Sequence, residues 1–165
     1  MSIDTFRSKV AQEAVNSGAA LINDISAGFL DEAMLTTIAK LQVPYIMMHM
    51  RGTPQTMKDL TEYEDVVHEV IFYLSERVAA ARALGINDLI VDPGLGFAKT
   101  IAQNFELLNA TEKLQVLELP ILIGLSRKSM ITKALGVDSN SALNGTTALN
   151  MIALQKGASI LRVHD

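Results

Sequence analysis

The chain has 165 residues, of which 49% are hydrophobic, so it can bury a substantial core and is too apolar for intrinsic disorder. Its formal net charge is −4 and its basic residues are interspersed with acidic ones, which argues against a nucleic-acid or membrane-surface protein. Cysteine is absent, which excludes disulfides and thiolate metal sites.

The chain contains no apolar stretch of the roughly 18 residues that a membrane-spanning helix needs. The first ten residues, MSIDTFRSKV, also lack the apolar segment of a signal peptide. We therefore expect a cytoplasmic protein that binds neither nucleic acid nor membrane, with residues 1–165 forming one domain.

Six short runs are apolar on both faces, which predicts buried parallel strands. They are SID at 2–4, AALIND at 19–24, VPYIMMHM at 43–50, DLIVDPG at 88–94, PILIGLS at 120–126 and SILRVHD at 159–165. Helical patterns predict helices over 6–17, 31–41, 62–84, 101–116 and 141–156. Gly18 is expected to end the first helix, and Thr61 with Glu64 has the spacing of a capping box for the third.

Strands that alternate with helices predict an α/β fold with a parallel sheet and helical crossovers. Six strands and five helices suit either an open doubly wound sheet or an incomplete (β/α)₈ barrel of the TIM type. A complete barrel needs eight strands, typically in about 250 residues. On the barrel interpretation, two strands are lacking at the front and one helix at the back.

Polar residues follow every predicted strand. They are Asp4, Asn23 with Asp24, His49 with Arg51, Asp92, the SRKS segment at 126–129, and Arg162 with His164 and Asp165. Because ligands of parallel α/β folds bind beyond the carboxyl ends of the strands, we expect these side chains to meet at one rim.

Each of these residues also has a purely structural explanation. Asp4 could cap a helix, Asn23 could form an Asx turn, and His49 could be a hydrogen-bonded strand-end histidine. Polar groups at six strand ends together nevertheless favour a built site. Arg162 is the hardest to explain structurally, because we expect it to be buried within ILRVH, where a guanidinium needs an anionic or stacking partner.

The residue types predict a specific ligand chemistry. Asp4, Asn23 and Asp92 offer acceptors for a planar heterocycle rich in N–H groups. Arg162 could stack on that ring or hold a phosphate with the SRKS loop, and Lys128 offers a donor. The chain has no Walker A sequence, dinucleotide fingerprint or HExxH motif.

Taken together, these segments resemble the dihydropteroate synthase family. The matching stretches are 2–28, MMHMRGTPQTM at 47–57, DPGLGF with KT within 92–100, PILIGLSRKSMI at 120–131, NGTTALNMIALQKGA at 144–158 and RVHD at 162–165. The resemblance covers essentially the whole chain. SIDT, IND and DPG are shared with the wider pterin-binding barrels, whereas MHMRGTP, SRKS and RVHD are more specific to the synthase.

The resemblance implies a transferase of folate biosynthesis with a (β/α)₈ barrel. Such an enzyme joins 6-hydroxymethyl-dihydropterin pyrophosphate to p-aminobenzoate and releases pyrophosphate, with Mg²⁺ as cofactor. The full-length family member is expected to be a homodimer.

The resemblance also implies roles for individual residues. The expected pterin-binding residues are Asp4, Asn23, Met48, Asp92, Gly124, Lys128 and Arg162. The pyrophosphate would be held by Arg162 and His164, and the p-aminobenzoate pocket would be bordered by Phe97, Lys128 and Ser129. Catalytic roles fall to Asp4, Lys128 and Arg162, with Asp4 stabilising the pterin cation left when pyrophosphate departs.

The chain departs from the family pattern in two respects. Ala98 stands where the family usually has glycine. The family's metal-associated asparagine, in an Asn-x-Thr-Pro-Asp-Ser-Phe segment, has no counterpart, so we expect no metal ligand within this chain. Met1 stands where a strand residue is expected, so we interpret the chain as truncated and expect weak or no turnover from it alone.

Two other functions are compatible with the same residues. One is a pterin-binding methyltransferase that uses methyltetrahydrofolate, although SRKS and RVHD argue against it because that substrate expels no pyrophosphate. The other is a noncatalytic pterin-binding fragment that pairs with a second copy through the open edges of its sheet.

Overall fold

Short parallel strands alternate with helices throughout the computed structural model, which describes residues 1–164. The strands are β1 (Ser2–Asp4), β2 (Leu21–Asp24), β3 (Tyr45–Met48), β4 (Leu89–Asp92), β5 (Leu122–Ile123) and β6 (Ile160–Leu161). The α-helices are α1 (Ser8–Asn16), α2 (Met34–Leu41), α3 (Val66–Ala83), α4 (Ile101–Asn109), α5 (Ser129–Leu135) and α6 (Leu143–Gln155). Each predicted strand run contains an observed strand.

The strands follow one another in chain order. β1 to β4 form a four-stranded parallel sheet, β5 and β6 form a parallel pair, and a parallel bridge from Val91 to Ile121 connects the two. This arrangement confirms the predicted parallel α/β fold. Within residues 1–164, β1 and β6 each pair with only one neighbour, so they are the two edges.

The predicted number of helices was wrong. α5 was missed because it has only seven residues, too few for clear periodicity, and because its SRKS start was interpreted as a loop. The predicted helix over 101–116 is divided: α4 ends at Asn109, and the 3₁₀-helix Thr111–Leu117 follows. Shorter 3₁₀ segments cover Met57–Asp59 and Asn140–Ala142. No helix within residues 1–164 has the length and apolarity to cross a bilayer.

The helix ends test two capping predictions. Gly18 has φ +98° and its amide donates to Val15 O at 2.9 Å, which confirms it as the glycine that ends α1. The capping box at Thr61 was wrong, because α3 begins later: the Asp65 side chain caps it by accepting from the His68 amide at 2.9 Å.

The strand register divides the side chains between two faces. One face packs under the helices and forms the apolar core; its strand residues include Ile22, Tyr45, Met47, Val91, Ile121 and Ile123. The opposite face, here called the inner face, carries Asp4, Asn23, Asp92, Gly124 and Arg162 at the carboxyl end of the sheet. The alternation of parallel strands therefore separates the core from the polar side chains.

Asp24 organises the helix side of the same rim. It is fully buried, and its carboxylate accepts from the Ser26 amide and hydroxyl, both at 2.8 Å, from the Gly28 amide at 2.7 Å and from the Tyr45 hydroxyl at 2.6 Å. Burial, followed by the Asp24 charge, raises the pKa of Tyr45 well above its usual value. Four donors therefore compensate the carboxylate and fix the loop that follows β2.

We expect Tyr45→Phe to lower the free energy of unfolding by about 1.5–3 kcal/mol, because it removes a hydrogen bond to a buried carboxylate. Tyr73→Phe is the matched control, since its hydroxyl donates to the uncharged Ser26 O at 2.7 Å and its loss costs about 0.5–1.5 kcal/mol. Urea unfolding of both variants measures the difference. Equal losses would contradict the role given to Asp24.

Candidate active site

Asp4 connects the first and last strands of the sheet across the inner face. Its Oδ1 accepts from Asn23 Nδ2 at 2.9 Å, and its Oδ2 accepts from Arg162 Nη2 at 2.8 Å. Asp4 lies opposite Asn23 in the β1–β2 register. The structure thus brings three of the sequence-predicted residues into direct contact.

Asn23 carries an unsatisfied acceptor. A carboxylate only accepts hydrogen bonds, so the amide NH₂ of Asn23 must face Asp4. This orientation leaves Asn23 Oδ1 buried without a partner in the described structure. Because a buried acceptor without a donor is costly, this atom marks a position where a ligand N–H group would be favourable.

Arg162 differs from the expectation of a buried guanidinium. Its side chain is 43% exposed, because Arg162 lies just beyond the short edge strand β6. The predicted anionic partner is nevertheless present, as Asp4. His164 Nε2 lies 3.4 Å from Arg162 Nη1, and its backbone amide donates to Ser126 Oγ at 3.2 Å. Asp165 lies outside the described residues.

Asp92 ends β4 on the inner face and is 6% exposed. Its Oδ1 accepts from the Gly94 amide at 2.7 Å, and Met48, itself buried, lies opposite it in the β3–β4 register. Burial raises the pKa of Asp92, while the Gly94 amide and the charge of Lys128 oppose that shift. A carboxylate in this position is a strong acceptor in a low-dielectric setting.

Lys128 is held by the turn after β4. Its Nζ donates to Leu95 O and lies 4.7 Å from the centre of the Phe97 ring. A side chain on Gly96 would come within 3.0 Å of the Lys128 stem, so glycine allows the close approach. Burial lowers the pKa of Lys128, and the Asp92 charge opposes that shift.

The remaining sequence-predicted residues lie around this group. Gly124 follows β5, and a side chain there would lie 3.7 Å from Arg162 Cβ. Ser129 is the first residue of α5 and is exposed. The inner face near Asp4 and Asn23 borders a cavity of about 390 Å³.

Arg51, another strand-end candidate, is directed to the helix side. Its guanidinium pairs with Glu69 and lies 3.7 Å above the Tyr63 ring. It borders a separate cavity of about 530 Å³ near Phe29 and Phe72. Arg51 therefore stabilises the loop after β3 and does not join the inner-face group.

The turn from Gly94 to Ala98 is unusual in its backbone. Gly94, Gly96 and Ala98 have φ of +69°, +84° and +50°. A side chain on Gly94 would lie 2.1 Å from His49 O, so only glycine fits there. The glycine that the family usually has in place of Ala98 would adopt its left-handed conformation without strain.

Sequence reasoning missed the buried pair of Lys99 and His49. Lys99 is 9% exposed and His49 is 2% exposed, and Lys99 Nζ lies 3.0 Å from His49 Nδ1. Burial lowers the pKa of Lys99 to about 7 and, with the Lys99 charge, that of His49 to about 2. The signal that could have found the pair was a lysine placed directly after an otherwise apolar, glycine-rich turn.

The side chains that most often bind metal ions are dispersed in the described part of the chain. Residues 1–164 contain no group of three or more His, Asp or Glu side chains arranged to hold an ion. Both Asp4 oxygens already accept hydrogen bonds from side chains. The Mg²⁺ cofactor expected from the resemblance stays a prediction.

Comparison with known proteins gives one family and many close relatives. Residues 1–164 match the family described as pterin binding enzyme. The chain is 44% identical to dihydropteroate synthase of Synechocystis over 168 positions, covering 100% of this chain and 58% of the relative. The Escherichia coli enzyme is 39% identical over 167 positions, covering 100% of this chain and 59% of the relative.

Solved structures show the same likeness. Stenotrophomonas maltophilia dihydropteroate synthase with active site-bound imidazole has a TM-score of 0.96 and 41% identity, over 99% of this chain and 63% of that one. The Xanthomonas albilineans enzyme in complex with 7,8-dihydropteroate has a TM-score of 0.91 and 41% identity, over 99% of this chain and 62% of that one. These matches confirm the predicted partial TIM-type barrel. The chain spans about three fifths of the length of these relatives.

We expect Ala98→Gly to leave the free energy of unfolding unchanged or to raise it by up to about 1 kcal/mol. Relief of the left-handed strain, about 1–2 kcal/mol, is offset by the greater entropy of glycine in the unfolded chain. Ala79→Gly, at an exposed position within α3, is the matched control and should cost about 1 kcal/mol. Equal destabilisation of both variants in urea would contradict the strain at Ala98.

We expect Lys99→Met to remove a pH dependence of stability. Between the folded pKa of about 7 and the unfolded value of about 10.4, the unfolded chain binds more protons at residue 99. The wild-type free energy of unfolding should therefore rise with pH in this window relative to Lys99→Met, by at most about 1.4 kcal/mol per pH unit. Urea unfolding at several pH values measures this difference.

Lys9→Met is the control, because Lys9 is an exposed residue of α1. Its stability should follow pH in parallel with that of the wild type. A parallel course for Lys99→Met as well would contradict a lowered pKa at Lys99.

Proposed function

The chain belongs to the pterin binding enzyme family, and on this premise we propose that it functions as a dihydropteroate synthase. The proposed reaction joins 6-hydroxymethyl-dihydropterin pyrophosphate to p-aminobenzoate and releases pyrophosphate. Its support is the inner-face group together with the likeness to dihydropteroate synthases along the whole chain.

The observation that carries the proposal is the unsatisfied acceptor Asn23 Oδ1. It lies beside the exposed carboxylate of Asp4, and the buried carboxylate of Asp92 lies at the same end of the sheet. Such acceptors suit the N–H-rich edge of a pterin, which presents several donors in one plane. A pterin at this position would satisfy Asn23 Oδ1 and so recover the cost of its burial.

Charges around the inner face suit the proposed leaving group. Arg162 and His164 lie within 3.4 Å of each other and would hold the pyrophosphate by charge-assisted hydrogen bonds. Arg162 is also paired with Asp4, so the anion would compete with that carboxylate for the guanidinium. Asp4 would then be left to stabilise the positive charge that develops on the pterin when the anion departs.

The p-aminobenzoate side of the proposed site involves Phe97, Lys128 and Ser129. Phe97 offers an aromatic wall, and Lys128 lies against it. Ser129 is exposed at the start of α5, where it could meet a carboxylate. Lys128 borders both proposed pockets and would therefore contact the pterin and the incoming amine.

Two further expectations stay predictions. Magnesium would have to rely on the substrate's pyrophosphate oxygens, a common arrangement for an ion that keeps few protein ligands. The homodimer expected for the full-length family member is the second of these predictions.

We expect dihydropterin pyrophosphate to bind this chain and methyltetrahydrofolate to bind it at least tenfold more weakly in calorimetric titrations, since only the former carries a pyrophosphate for Arg162 and His164. Asn23→Leu should weaken dihydropterin pyrophosphate binding by roughly tenfold or more, because a buried hydrogen bond is lost and Asp4 loses its donor.

Asn16→Leu, at the exposed end of α1, is the matched control and should bind as the wild type does. Equal or tighter binding of methyltetrahydrofolate would favour the methyltransferase alternative. Identical affinities for the Asn23→Leu and Asn16→Leu variants would contradict the role of Asn23 in pterin binding, on which the proposal depends.

A further inference from the structure

The ammonium group of Lys99 has three hydrogen-bond partners and three N–H donors. Nζ lies 3.0 Å from His49 Nδ1, and it donates to Gly94 O and Phe97 O, both at 2.9 Å. A protonated lysine only donates, so the Nδ1 atom of His49 must be its unprotonated acceptor. The three acceptors match the three donors, although no carboxylate forms an ion pair with Lys99 in the described structure.

Two of these acceptors belong to the turn that follows β4. Gly94 and Phe97 lie at its two ends, so Lys99 ties both ends to one point on the loop after β3. Left-handed backbone at Gly94 and Gly96 makes other conformations of the turn readily accessible. A turn of this kind keeps a single conformation only where surrounding contacts hold it.

The same turn sets the position of Lys128. Leu95 O accepts from Lys128 Nζ, the Phe97 ring lies against that ammonium, and Gly96 leaves room for the side-chain stem. Lys99 and Lys128 therefore contact the same turn, and the hydrogen bond to Leu95 O is the one described for the Lys128 ammonium in residues 1–164.

We propose that Lys99 is a positioning residue whose ammonium fixes the turn of residues 94–97, and through that turn the placement of Lys128 beside Asp92. Lys99 itself would touch no substrate. The link to catalysis depends on the proposed function, because it assumes that Lys128 contacts the pterin. The structural part, that Lys99 controls the turn and Lys128, does not depend on it.

Opposing effects act on the pKa of Lys99. Burial lowers its pKa to about 7, the Asp92 carboxylate opposes the shift, and the Lys128 and Arg51 charges add to it. His49 is neutral, since burial and its cationic neighbours lower its own pKa to about 2. Deprotonation would leave an amine that donates twice and accepts once, so His49 would move its proton to Nδ1, and the contacts of the turn should rearrange as pH rises through this range.

The experiment follows the backbone amides of residues 95–98 and the Lys128 ε-methylene by NMR, from about pH 5.5 to about pH 8.5, around the Lys99 pKa. In the wild-type chain these signals should shift together with a midpoint near 7. In Lys99→Met the shared midpoint should disappear, and the signals at low pH should already differ from wild type. Lys9→Met should keep the wild-type profile.

Titration of other groups occurs in both chains and cancels in the comparison. Wild-type turn signals that share no midpoint across this range, or a Lys99→Met chain with the same midpoint as the wild type, would overturn the proposal. The wild-type titration needs no variant, so it decides the question even if Lys99→Met fails to fold.

Calorimetry with dihydropterin pyrophosphate then tests the link to the site. At about pH 6, Lys99→Met should bind it roughly tenfold or more weakly than wild type, as expected when a binding group is displaced. Unchanged affinity would contradict the claim that the turn affects pterin binding through Lys128. Absence of binding by the wild type would instead count against the proposed function, while the NMR result would stand.

Discussion

Side chains of a parallel strand alternate between two faces, and this constraint determines where the strand residues of the site lie. Core residues such as Tyr45 and Val91 occupy one face, so the intervening positions must point to the inner face. Near the carboxyl ends those positions are Asp4, Asn23 and Asp92. The apolar packing that stabilises the fold thus also aligns three acceptors, and a shift of one residue in any strand would bury its polar group among the helices.

The site is held together by partners that differ greatly in exposure. The ion pair of Asp4 and Arg162 is 49% and 43% exposed, so it contributes little to stability and can open for a ligand. Lys99 is the opposite case, because its ammonium is buried and its lowered pKa means that the charge costs folding free energy. We expect a buried charge that lowers folding stability to be kept where it orders a functional segment. For Lys99 this segment is the turn from Gly94 to Phe97.

Much of this arrangement could be predicted from sequence. Runs apolar on both faces located the six strands, and polar residues at their ends located the inner-face group. Short elements could not be predicted in this way. Helix α5 has seven residues, too few for periodicity, and the SRKS segment at its start has the composition of a loop. Arg162 was expected to be buried, but exposure depends on which strand is an edge, and edges are set by tertiary pairing.

The pair of Lys99 and His49 shows why single residues resist prediction. Each has an ordinary explanation alone, and they lie 50 positions apart in sequence. The role inferred for Lys99 depends on three hydrogen-bond acceptors, His49 Nδ1, Gly94 O and Phe97 O. These acceptors meet only after β3 and β4 have paired and the turn has formed. A sequence pattern can indicate that a turn approaches a ligand closely, as DPGLGF does, but not what holds it. The turn is held by contacts that form only when the chain folds, among them the three made by the buried Lys99 ammonium.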